Sequence, residues 1–195
     1  MNPPISPFAN PPLPQAHRYF FALMPDAVAA NRIHAFAERT LGEKGLHPAA
    51  RLHVTLALTE DFSMPQPALL SALRRAGESV MAPSFMLRLD RLAGGQNSVA
   101  LRPARSLRAL WTLQRQLVRA MAVEGVPLRS GVTFNPHLTL SYRGGSPDQR
   151  AIEDHGWPVE GFALIESLVG IGRYVQHGSW PLQGPAEDQL SLFPL

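Results

Sequence analysis

The tetrad His-x-Thr-Leu occurs twice in this chain, as His53-Val54-Thr55-Leu56 and His137-Leu138-Thr139-Leu140, 84 positions apart. Both copies sit in apolar runs, RLHVTLALTE and PHLTLSYR, that read as strands. On a strand, residues i and i+2 share a face. His53 and Thr55 therefore project together, as do His137 and Thr139, while Val54, Leu56, Leu138 and Leu140 turn the other way into a core. If the two strands lie side by side, two imidazoles and two hydroxyls meet in one groove. A fold with two matching halves is the simplest way to arrange that.

The surrounding pattern supplies such halves. Tyr19–Leu23 reads as a buried strand, and Asp26 caps a helix expected over roughly 26–42. A second helix is expected over Pro67–Val80, with proline in its first turn. Phe85, Leu87 and Leu89 alternate with Met86, Arg88 and Asp90, which predicts one strand; SVALRP is its hairpin partner across Gly94-Gly95-Gln96-Asn97. The strongest helix runs from about Ala104 to Glu124, with Leu107, Leu110, Trp111, Leu113, Leu117 and Met121 largely on one side. Two more strands flank Gly170–Gly172. The fold class is α+β: mostly antiparallel sheets with helices covering one side, each half of the chain carrying one His-x-Thr. Residues 1–16 are expected to form a loose, proline-rich arm, 17–182 the body, and 183–195 a tail.

Composition narrows the chemistry. With 45% apolar and 17% charged residues the chain is an ordinary folding sequence. No run approaches the length of a membrane helix, and no basic stretch leads into an apolar one at the start, so a cytoplasmic protein is expected. The absence of cysteine removes thiolate metal sites, disulfides and cysteine nucleophiles. The net charge of +3 rests almost wholly on arginine, Lys44 being the one lysine. That balance suits an anionic small substrate or an RNA end better than a nucleic-acid coat. A monomer is expected.

Paired His-x-Thr motifs have a chemical logic for phosphate. A neutral imidazole can take a proton from water while a protonated one gives a proton to the leaving oxygen, and the hydroxyls can hold non-bridging oxygens. A single such motif is more often a sheet-edge histidine beside a β-favouring threonine; two copies in matching strands favour catalysis. Zinc wants three or four protein ligands, threonine is a poor one, and no carboxylate lies close to either motif, so no metal and no cofactor are expected. There is no GxSxG elbow and no Walker loop.

At RYFFALMP, LHVTL, FNPHLTL and IESLVGIGRYVQHGSWPL the chain resembles the 2H phosphoesterase superfamily, and within it the RNA 2',3'-cyclic phosphodiesterases historically called 2'-5' RNA ligases. The resemblance spans roughly residues 17–182. It implies two pseudo-symmetric α+β lobes around a central cleft, with helices on the outer side and one His-x-Thr from each lobe. It also implies hydrolysis of a 2',3'-cyclic phosphate to a 2'-phosphomonoester without metal. His53 would be the general acid, His137 the general base, and Thr55 and Thr139 would bind phosphate. Two departures stand out. Ala57-Leu58-Thr59 replaces the common Phe-Leu-Gly, and Tyr142 stands where the family often has a basic residue, with Arg143 following. Arg143 shares strand parity with His137 and could face phosphate; a solvated arginine at a strand end is the alternative. Tyr19, Phe134 and Tyr174 could stack a base or belong to the core, and His17, His34, His47, His155 and His177 read as surface or core residues.

The tail holds Gln189-Leu190-Ser191-Leu192-Phe193, which resembles the bacterial sliding-clamp-binding pentapeptide, with Gln189, Leu190, Leu192 and Phe193 as the contact residues. The same run equally suits a final strand packed on the body. The substrates expected are an RNA terminus or a small cyclic nucleotide. The other functional class is a non-catalytic phosphate-binding adaptor recruited through this tail.

Overall fold

The computed structural model describes residues 13–145 and 147–183. The chain runs β1 (Ala16–Leu23), α1 (Ala27–Leu41), a 3-10 turn (Ala49–Arg51), β2 (Val54–Phe62), α2 (Pro67–Glu78), β3 (Phe85–Leu87), β4 (Arg91–Gly94), β5 (Val99–Arg102), α3 (Arg108–Val123), β6 (Leu138–Ser141), β7 (Gln149–Ala151), β8 (Trp157–Val159), β9 (Gly161–Val169) and β10 (Arg173–Pro181). The first twelve residues of the expected arm and the Gln189–Phe193 run lie outside the described residues. Among the described residues no helix is long and apolar enough to cross a membrane.

Eight strands form one sheet in the order β10-β9-β1-β2-β6-β5-β4-β7, and β3 pairs with β8 in a separate ribbon. Every pairing is antiparallel. The sheet divides into two four-strand halves at the β2–β6 seam, which Val54 and Leu138 close as a single register pair. Each half carries one His-x-Thr at this seam, as the internal duplication requires.

Strand parity sorts the two faces. Tyr19, Phe21 and Leu23 of β1, with Val54, Leu56, Leu138 and Leu140, enter the main core. Leu110, Leu113, Leu117 and Met121 of α3 and Ile33 of α1 belong to the same core. Phe20 and Ala22 turn to the opposite face, where they join Ala163 and Ile165 of β9. The run Tyr19–Leu23 is continuously apolar because its strand is covered on both sides. Asp26 caps α1 as expected, its Oδ1 accepting from the Ala29 amide at 2.8 Å. Gly77 lets α2 approach β10 closely, since a Cβ there would fall 2.6 Å from the Trp180 indole.

The stretch 85–90 departs from expectation. Its alternation predicted one strand paired with SVALRP, but the strand breaks. Phe85–Leu87 pairs with β8, and only Arg91–Gly94 forms the hairpin with β5. Side chains impose the break: the Asp154 carboxylate accepts from the Leu89 amide at 2.9 Å, and Asp90 accepts from the Ala104 amide at 2.7 Å. These bonds satisfy backbone groups outside a ladder. Strand β7 is wholly exposed and β8 spans three residues around Pro158, so neither is legible as a strand in the sequence.

Candidate active site

His53 and His137 stand immediately before β2 and β6, on the sheet face opposite the helices. Each imidazole is fixed in the same way. His53 Nδ1–H donates to the Arg51 carbonyl at 2.7 Å, and His137 Nδ1–H donates to the Asn135 carbonyl at 2.7 Å. A carbonyl can only accept, so the proton on Nδ1 is set in both rings and Nε2 is left for chemistry. Continuing the Val54–Leu138 register by one residue puts His53 across from Thr139 and Thr55 across from His137. The two motifs are thus related by a pseudo-two-fold through the seam.

A cleft of about 270 Å³ opens on this face, lined by His53, Thr55 and His137 together with Arg18, Phe20 and Tyr174, among others. The His53 ring is packed between Phe20, at a centroid distance of 5.0 Å, and Tyr174, at 5.6 Å. This burial, with the Arg51 guanidinium adding to it, holds the His53 pKa below the ordinary histidine range, although the hydrogen bond to the Arg51 carbonyl opposes the shift. Thr139 shares the face of His137 but is not among the lining side chains; it pairs with Ala100 of β5.

The cationic wall comes from residues that sequence reasoning missed. Arg18 binds Asp61 through Nε and Nη2, both at 2.6 Å, and Arg129 Nη1 reaches the same carboxylate at 3.2 Å. The Arg18 hydrogen bonds hold the Asp61 carboxyl below its usual range, so the pair persists at neutral pH. Parity was the available signal for Arg18, because it shares its strand face with Phe20. Arg129 sits on the connection from α3 to β6, whose contribution to the wall no periodicity reveals.

Arg143 lies elsewhere. Strand β6 ends at Ser141, so the parity argument stops two residues short. The Arg143 side chain packs directly on Gly45 and lines a separate surface pocket with Glu43 and Lys44. Tyr19 is a core residue whose hydroxyl accepts from the Gln66 amide at 3.0 Å. Phe134 and Tyr174 line the cleft. Among the other histidines, His17 and His177 bracket the Glu166 carboxylate at 2.6 Å each, on the helix side of the sheet.

A family model, described as the 2'-5' RNA ligase superfamily, matches residues 24–170. The chain belongs to that superfamily. A solved structure described as a phosphoesterase is 27% identical, with 88% of this chain and 99% of that chain covered and a TM-score of 0.73. The apo form of E. coli LigT is 27% identical over 87% and 99% of the two chains, with a TM-score of 0.70. LigT complexed with 3'-AMP has a TM-score of 0.71 at 24% identity, with 87% and 99% covered. No curated protein sequence matches significantly. Membership makes this chain an enzyme of the phosphoesterase or ligase type.

Within the superfamily fold, one departure has a structural account. Strand β2 bulges where Thr59 and Glu60 face the single residue Tyr19 of β1, and buried Thr59 serves the backbone of Tyr19. Its Oγ1 accepts from the Tyr19 amide at 3.3 Å and lies 3.2 Å from the Tyr19 carbonyl. Thr59 therefore repairs a bulge. Ala57 and Leu58, by contrast, both line the cleft.

Proposed function

We propose that the protein hydrolyses a 2',3'-cyclic phosphate at an RNA or nucleotide terminus to a 2'-phosphomonoester, without a metal, using His53 and His137 as an acid–base pair. The observation that carries this reading is the matched pair of Nδ1–carbonyl bonds across the β2–β6 seam, which leaves two Nε2 atoms on one cleft. Among the described residues, no three His, Asp or Glu side chains are grouped to hold a metal ion.

In the proposed reaction His137 Nε2 removes a proton from water as the oxygen bonds to phosphorus. The bond from phosphorus to O3' breaks, and protonated His53 delivers its proton to O3'. The product carries a 2'-phosphate and a free 3'-hydroxyl; solvent then returns the two histidines to their starting protonation states. Thr55 and Thr139 donate to the non-bridging oxygens as charge grows on them. The bound phosphate anion beside His53 offsets the burial that disfavours its charged form, so substrate itself loads the acid.

The test is hydrolysis of a nucleoside 2',3'-cyclic phosphate in the presence of EDTA. The wild-type protein should turn over with a bell-shaped pH profile. His53→Ala and His137→Ala should each lose roughly 10²–10⁴-fold in kcat while keeping the wild-type circular dichroism spectrum. Unchanged rates in both variants would rule this mechanism out.

A further inference from the structure

A second cavity of about 430 Å³ adjoins the catalytic cleft. Arg18, Tyr142, Ser167 and Tyr174 line both spaces, which makes them neighbours, while His47 and Arg51 line the second alone. Tyr142 stands at the junction with 68% of its surface exposed. Its ring is held edge-on by His47 at a centroid distance of 4.8 Å. His47 is itself buried, and Nδ1 has no hydrogen-bond partner among the described residues. Burial, with Arg51 and His53 nearby, holds its pKa down at about 4, so it buttresses Tyr142 as a neutral ring. The charge in this cavity comes from Arg51. Its guanidinium lies 5.8 Å from the Tyr174 ring centroid, and Nη1 donates to the Gly172 carbonyl at 2.7 Å. That one bond leaves the rest of a five-donor fork for another acceptor.

We propose that this cavity is a subsite for the nucleotide that precedes the cyclic phosphate in single-stranded RNA, with Tyr142 stacking its base and Arg51 binding the linking phosphodiester. The proposal rests on the cyclic phosphodiesterase reading and narrows its substrate to an RNA end of at least two nucleotides. A 2',3'-cyclic phosphate closes its chain, so the remaining RNA can leave only through the 5' oxygen. It therefore needs continuous space beside the reacting phosphorus, on one side. An exposed flat ring and a single free cationic fork are what a base and its phosphate require, since stacking tolerates any base and an arginine fork fits phosphate oxygens. Arg18 cannot take that part, because Asp61 occupies its fork.

The experiment compares a ribodinucleotide ending in a 2'-phosphate with the matching ribonucleoside 2'-monophosphate, neither of which is turned over, by titration calorimetry on the full chain. The wild-type protein should bind the dinucleotide roughly 10-fold tighter or better. Tyr142→Ala and Arg51→Gln should each collapse that ratio towards one, and Tyr142→Phe should preserve it. Equal affinities in the wild type, or a ratio untouched by both substitutions, would overturn the subsite. Failure of the underlying activity looks different. A wild type that binds the dinucleotide preferentially yet hydrolyses no cyclic phosphate sinks the reaction and leaves the subsite standing.

Discussion

Val54 faces Leu138 across the seam between β2 and β6, and each is the middle residue of a His-x-Thr motif. Both side chains are fully buried, so the contact that aligns the halves also belongs to the core. Leu138→Ala should destabilise the fold by about 2–5 kcal/mol, the usual cost of such a cavity. It should also lower kcat, because the relative placement of the two imidazoles depends on this pairing. Urea unfolding and steady-state kinetics on the same preparation check both. A stability loss without a loss in kcat would show that other contacts set the register.

The environment of His53 makes a spectroscopic prediction. In the free protein its imidazole should titrate below the ordinary histidine value, because burial beside Phe20 and Tyr174 disfavours the cation. Adding inorganic phosphate should move that titration upward. By linkage, phosphate should then bind more tightly as pH falls through the His53 transition. Proton–nitrogen NMR of the imidazole follows both effects, and a titration indifferent to phosphate would separate His53 from the anion site.

The threonines can be tested by removing a hydroxyl without removing volume. Thr55→Val should lower kcat by roughly 10²-fold, the usual effect of losing one donor to a developing oxyanion. Thr139→Val should act in the same direction but more weakly, because Thr139 is not part of the cleft lining. KM should change less than kcat for both. Equal loss in the two variants would mean that substrate draws Thr139 fully into the site.

His47 sets part of the acid sensitivity of the fold. Its folded-state pKa of about 4 lies below the ordinary value near 6.5, so between those limits the unfolded chain binds the extra proton. Stability should therefore be complete above about pH 6.5 and fall as pH drops toward 4. His155 is also depressed by burial and contributes in the same direction. His47→Phe should flatten the decline in the urea midpoint across this interval; an unchanged slope would refute the assignment.

What could be read before folding was whatever depends on local geometry. Period-two alternation placed His53 with Thr55 and His137 with Thr139, and put Leu56 and Leu140 into the core at 2% and 1% exposure. Asp26 signalled the start of α1 because a capping carboxylate needs only the next turn of chain. The same local logic failed at 85–90, where Asp154, more than sixty positions away, takes the Leu89 amide out of the ladder. It failed again at Arg143, whose strand parity lapses where β6 ends.

The two motifs and the face each presents follow from the sequence alone, since side-chain direction on a strand is a property of neighbouring residues. Bringing Val54 opposite Leu138, packing His53 between Phe20 and Tyr174, and turning Arg18 and Arg129 onto Asp61 belong to the tertiary structure. Those contacts join residues far apart in the chain, and no local pattern encodes a distance that only the closed sheet creates.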